Sequence, residues 1–214
     1  MTTTSLYLDF HFDGGSRAEA QTVLVAAIDA APIASALLRP APGIVLEPDT
    51  ARALISAAQK KGVAMLLGTD AAEAAKLGAD GVHVPWSADI VRAFKTLRQA
   101  APSAIVGADA GRSRHEAMEL GEAGADYIAF GIPPHVEDRE KAGRRQLDLI
   151  QWWSELFEVP CVALDVPGPD AAQSLAAAGA DFVAIRMAST ETAEAAAARV
   201  REFAAAVRLP EPAK

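Results

Sequence analysis

His83 lies near the end of the apolar run Gly81-Val82-His83-Val84, and Asp109 follows the run Ala104-Ile105-Val106-Gly107. An imidazole and a carboxyl group at the ends of buried strands can pass protons, so these two are the candidate catalytic groups. A structural histidine bonded to a neighbouring strand is the competing reading of His83. Arg39 ends the run that starts at Ile33, Arg186 ends the run that starts at Phe182, and Ser189 lies just beyond. A guanidinium is always charged, and a hydroxyl at a helix start helps to present amide N–H groups. Arg39, Arg186 and Ser189 are therefore candidate contacts for an anion such as phosphate. Lys141, with Arg139, Arg144 and Arg145, lies in the charged segment 132–145 and can close over the same anion; a solvated charged loop is the alternative. Arg39 can instead pair with Asp9, and Arg186 with Asp165. Asp9, Asp109 and Asp165 follow three different runs and can converge on a divalent metal, but capping and turn roles compete, so the metal ligands stay unknown.

These side chains need elements that bring run ends together. The stretch Leu77-Gly78-Ala79-Asp80-Gly81-Val82-His83-Val84 recurs in altered form from Gly124 and again from Gly179. Each copy follows an Ala-rich amphipathic run and precedes a short apolar one, which reads as helix, glycine cap and a strand buried on both faces. Repetition at this spacing, about two βα units of roughly 25 residues each, points to stacked copies of one unit and leaves room for eight. Strands are expected from Leu6, Ile33, Val63, Gly81, Ala104, Tyr127, Cys161 and Phe182, each followed by a helix. Pro40 and Pro42 should end the second strand, and Asp49 or Thr50 should cap the second helix. The sixth helix is expected from Gln146, after a mobile loop over 132–145. Strict alternation predicts a single (β/α)8 TIM barrel over 1–214, with an open doubly wound sheet as runner-up. Its active face is the set of loops after the strands. The polar residues there include Asp9 and His11 after the first strand and the charged groups named above.

Composition narrows the partners. With 20 Lys and Arg against 28 Asp and Glu, the net charge of −8 repels nucleic acid. One cysteine, Cys161, allows no internal disulfide and fits a reducing cytoplasm. No apolar run is long enough to span a membrane, and the start of the chain lacks the pattern of a signal peptide. A small-molecule ligand is the expected partner. The adjacent Trp152 and Trp153 lie on the sixth helix, where one ring should pack inward and leave the other for a subunit contact in a homo-oligomer. No P-loop, His-Glu-x-x-His, zinc-type cysteine cluster or Gly-x-Ser-x-Gly elbow is present.

An ordered set of segments carries a family resemblance: 77–84, then Ile105-Val106-Gly107, then 124–131, then Val159-Pro160-Cys161-Val162-Ala163, then 178–184. Together they are similar to thiamine phosphate synthases and the related thiazole tautomerases. The resemblance implies a barrel, a link to thiamine biosynthesis, transferase chemistry with pyrophosphate leaving, and Mg2+ held by aspartates. It also implies a divergent member. The family's Gln-x-Arg-x-Lys falls on Leu37, Arg39 and Ala41, and its Asn-Asp on Gly68 and Thr69. Its His-Leu-Gly-Gln falls on His83-Val84-Pro85-Trp86, with Asp89 near the second magnesium position. Its Thr-Pro-Thr-Lys loop has no match beyond a displaced Lys141, and its Gly-Gly falls on Leu164 and Asp165. The expectations are thus a barrel that binds a small phosphorylated or heterocyclic ligand, an isomerase using His83 or His135 as base, or a non-catalytic binding or regulatory barrel.

Overall fold

Eight apolar runs become strands and eight Ala-rich runs become helices in the computed structural model, which describes residues 4–68, 70–133 and 135–208. In chain order they are β1 (Ser5–Phe12), α1 (Arg17–Ala30), β2 (Ile33–Pro40), α2 (Pro48–Gln59), β3 (Ala64–Leu67), α3 (Ala71–Leu77), β4 (Gly81–Val84) and α4 (Ile90–Ala100). The second half continues with β5 (Ile105–Asp109), α5 (Arg114–Glu122), β6 (Tyr127–Phe130), α6 (Arg139–Leu156), β7 (Cys161–Ala163), α7 (Pro169–Ala177), β8 (Phe182–Ala188) and α8 (Ala193–Ala206). Each strand pairs in parallel with the next, and β8 returns to β1, so the sheet closes into a barrel.

Alternation along the strands divides two cores. On β1, Leu6, Leu8 and Phe10 face the helices, while Tyr7 joins Leu37, Leu66, Tyr127, Val162 and Ala184 inside the barrel. Full burial of each such side chain contributes about 1.5–3 kcal/mol. Gly107 is what lets the Tyr127 ring lie across the interior: a Cβ at 107 would sit 2.0 Å from that ring.

The Gly-Ala-Asp repeats turn out to be joints. Gly78, Gly124 and Gly179 each take the left-handed conformation that ends a helix, with φ of 81°, 88° and 97°. The aspartate two residues on then reaches sideways to the first turn of the preceding strand. Asp80 accepts from the Met65 N–H at 2.7 Å, Asp126 from Val106 at 2.7 Å and Asp181 from Cys161 at 2.8 Å. All three carboxylates lie at the N-terminal end of the barrel, away from the loops that follow the strands.

Three boundaries differ from the sequence expectation. β2 runs through Pro40, because Ala41 donates to Phe12 O toward β1, so the Pro40 nitrogen points toward β3, where pairing stops at Leu38. α2 starts at Pro48 after Glu47, a fixed φ suited to a first helical position, rather than behind Asp49 or Thr50. The second half of the expected mobile loop over 132–145, from Arg139 on, is helix. Asp138 accepts from the Lys141 N–H at 2.9 Å and starts α6 at Arg139, seven residues before Gln146. These first turns stand above the barrel rim with Ala142 as their buried residue, so they carry no apolar period to read.

Candidate active site in the barrel mouth

Strand parity gathers most of the candidate residues. Asp9 and His11 on β1, Arg39 on β2, His83 on β4, Asp109 on β5 and Arg186 on β8 all occupy inward positions at the C-terminal end of the barrel. Asp165 follows β7 and adopts φ of 54°, a left-handed conformation unusual for an aspartate.

His83 is buried, and its Nδ1 lies 2.8 Å from the Tyr127 hydroxyl, which lies 3.2 Å from the Tyr7 hydroxyl. Burial, with the Arg39 charge adding to it, pushes the His83 imidazole down to about 3, so it is neutral at physiological pH. Its Nε2 has no hydrogen-bond partner among the described residues. His83 thus makes a structural contact on one nitrogen, across the barrel interior to β6 rather than to a neighbouring strand, and leaves the other free.

Asp9 is buried with both oxygens engaged. Arg39 donates from Nε to Oδ1 at 2.8 Å and from Nη2 to Oδ2 at 2.6 Å, and His11 Nε2 lies 2.9 Å from Oδ2. Burial works against the charge, but the His11 hydrogen bond and the Arg39 guanidinium outweigh it and bring the carboxyl to about 2. Arg39 is thereby held in the ion pair that competed with a ligand-binding role.

Asp109 has a different environment. Its Oδ1 accepts from the N–H groups of Gly111 and Gly131, at 2.8 and 2.9 Å. Gly131 lets the carboxyl group lie this close, since a Cβ there would meet Oδ2 at 2.6 Å and force it to shift. Burial pushes the carboxyl up to about 6 against those two donors, with Asp165 adding to the rise and Arg39 opposing it. A group poised near neutral pH suits acid and base work. Asp165 does not pair with Arg186; its Oδ2 accepts from the Ile132 N–H at 2.9 Å.

Beside the mouth, among the loops after β6, β7 and β8 and the helices α6, α7 and α8 that follow them, opens a cleft of about 840 Å³. Arg186, Asp165 and Arg139 line it. Arg139 is turned onto the carbonyls of Ile132 and Pro133, whereas the Arg186 guanidinium has no partner among the described residues. Ser189 faces elsewhere: it is buried, donates to Asp13 Oδ1 at 2.7 Å and fastens the loop after β8 to the loop after β1. Lys141 is exposed on the first turn of α6 and does not line the cleft. On the opposite rim, Trp86 packs over Gly111, and its ring lies 5.3 Å from that of His135.

The residues do not fit a preassembled magnesium site. No group of three His, Cys, Asp or Glu among the described residues lies close enough to hold an ion. Asp70 caps α3 through Glu73 N–H, exposed Asp89 pairs with Arg92, and both Asp9 oxygens are taken. Thr69, the other metal position implied by the resemblance, lies outside the described residues. Tyr7, Tyr127 and Gly131 complete the site without an obvious sequence signal. Each reads as one more member of an apolar run, and only the period of two counted back from a strand end finds them.

Among the described residues, no helix is long and apolar enough to cross a membrane. Comparison with known proteins agrees with this architecture. A thiamine phosphate pyrophosphorylase from Pyrococcus furiosus superposes with a TM-score of 0.71 over 96% of both chains at 18% identity. A 3-hexulose-6-phosphate synthase from Salmonella typhimurium gives 0.69 at 21% identity, covering 94% of this chain and 97% of that one. At these identities the likeness is one of fold. Sequence relatives are nearer. The thiamine-phosphate synthase of Rhodospirillum centenum is 38% identical over 166 residues, 76% of this chain and 78% of that protein. That of Hyphomonas neptunium is 40% identical over 152 residues, 71% and 67%. That of Erythrobacter litoralis is 42% identical over 125 residues, 58% of each. The thiamine monophosphate synthase family model matches residues 47–188, and the chain belongs to that family.

Proposed function

We propose that the protein works in thiamine biosynthesis by binding a small phosphorylated heterocycle at the C-terminal mouth of the barrel. The phosphate lies against Arg186, and the ring lies over His83 and Asp109. The observation that carries this reading is the Arg186 guanidinium, an unpaired cation in an open cleft that it lines together with Asp165, whose charge also acts on the Asp109 carboxyl. Ligand chemistry of this kind is also what the names of the relatives suggest. Asp109 supplies the proton-transferring group, and His83 holds the ring through Nε2. Arg39 shapes the local charge through Asp9, while Ser189 fastens the loop after β8 to the loop after β1.

Magnesium-dependent release of pyrophosphate is expected to be absent or very weak. Stabilising that leaving group requires a metal and cations aimed at its oxygens. The carboxylate of Asp165 stands where the family pattern has glycine. Isothermal titration with thiamine monophosphate and thiazole phosphate tests the reading. Arg186→Ala should weaken binding by about 1.5–3 kcal/mol, the scale of a charge-assisted hydrogen bond. An unchanged dissociation constant would remove Arg186 from the site, and pyrophosphate release comparable to that of an ordinary synthase would overturn the account of the leaving group. A non-catalytic binding or regulatory barrel is the second reading, favoured by the pairing of Arg39 with Asp9, which withdraws one cation from ligand contact.

A further inference from the structure

His11 stands on β1 at an inward position, level with Arg39 on β2 and Ala188 on β8, one layer above Asp9. Its Nε2 lies 2.9 Å from Asp9 Oδ2. An ionised carboxylate only accepts, so the imidazole must be the donor and its proton must sit on Nε2. In the neutral ring Nδ1 is then left with a bare lone pair. That atom is buried and has no partner among the described residues, and a buried polar atom without a partner calls for a ligand or water to supply one. The only other buried unpartnered imidazole nitrogen among the described residues is His83 Nε2, on a ring that no carboxylate orients. His83 has its Nδ1 engaged by Tyr127, His115 is exposed on α5 beside Glu119, and His135 is exposed on the rim.

We propose that His11 is the proton-accepting contact for the bound ligand and that Asp9 is its positioning residue. A ligand N–H or O–H points at His11 Nδ1. Full transfer moves that proton to Nδ1 and leaves the ligand with the bonding pair, as an anion facing an imidazolium that Asp9 stabilises. Return of the proton to a different ligand atom completes an isomerisation, with atoms and charge balanced and no co-reactant needed. The arrangement resembles a carboxylate–histidine pair in which the acid fixes tautomer and orientation. This inference rests on the ligand reading above and adds to it the side of the mouth, β1, at which the ligand presents its acidic hydrogen.

The chain has four histidines, so long-range nitrogen–proton NMR on histidine-labelled protein resolves each ring, with single His→Gln variants as assignments. In the free protein the proposal requires His11 to carry its proton on Nε2 and to be bare on Nδ1. Adding thiamine monophosphate, with binding followed in parallel by calorimetry, should move the Nδ1 resonance toward the protonated position. Asp9→Asn should mix or reverse the tautomers, whereas Arg39→Gln, which also breaks a contact to Asp9, should leave them unchanged. A proton on Nδ1 in the free protein overturns the proposal. Binding by calorimetry with no movement of Nδ1 also overturns it and leaves the ligand reading standing. No binding at all overturns the ligand reading, and the proposal falls with it.

Discussion

Replacing Asp109 by asparagine should make the protein more stable above neutral pH. The Asp109 carboxyl is raised from 3.8 to about 6, so the folded state holds the proton more tightly than the unfolded chain does. The group therefore costs nothing below about pH 4, where it is protonated in both states, and its cost grows as pH rises from there through 6. A rise of about two units, at 1.36 kcal/mol per unit, gives a full cost of about 2–3 kcal/mol above pH 7. Asparagine keeps an oxygen for the N–H groups of Gly111 and Gly131 and removes the ionisation. Urea denaturation of both proteins from pH 4 to 8 should show midpoints that coincide at the acid end and separate steadily, with Asp109→Asn ahead by about 2–3 kcal/mol at pH 8. Proton transfer to a bound ligand should be lost in the same variant, the trade expected where function maintains a destabilising charge. A difference that is independent of pH, or a variant less stable at pH 8, would refute the reasoning.

Asp9→Ala strands the Arg39 guanidinium beside the barrel interior and should cost about 3 kcal/mol in chemical denaturation at pH 7. In the parent protein the stabilisation from Asp9, whose folded value is about 2, is complete above about pH 4 and lost as pH falls through 2, which an acid titration of circular dichroism can follow. Gly107→Ala drives a methyl group to 2.0 Å from the Tyr127 ring and should destabilise by about 3 kcal/mol or prevent folding, with partial recovery in the double variant Gly107→Ala/Tyr127→Ala. Asp181→Ala removes a carboxylate that accepts from Cys161 N–H and should lower stability by about 1.5–3 kcal/mol while leaving ligand titrations unchanged, because it acts at the opposite end of the barrel.

The alternation of strands and helices is legible in the sequence because parallel strands covered on both faces are continuous apolar runs, and glycines mark the helix ends between them. The start of α6 is not legible, since helical turns that rise past the rim bury only Ala142 and have no stripe to display. In the mouth, run ends identify Arg39, His83, Asp109 and Arg186, because strand ends in a barrel share one face. Partner choice is another matter. Ser189 reads as an anion contact from its own neighbourhood, yet its hydroxyl donates to Asp13, 176 residues away, through a register between β8 and β1 that no local pattern encodes. Arg39 with Asp9 is decided in the same way, by which side chains stand level across β1 and β2.

The three aspartate joints have a consequence for how the barrel comes apart. Asp80 fastens β4 to β3, Asp126 fastens β6 to β5, and Asp181 fastens β8 to β7, so the wall resembles a cask built from pre-glued pairs of staves. Among the described residues, the seam from β4 to β5 has no carboxylate of this kind, whereas that from β6 to β7 is clasped at its other end by Asp165 and Gln146. Amide hydrogens along the β4 to β5 seam should exchange with solvent sooner than those within a pair, through partial openings that leave each pair intact.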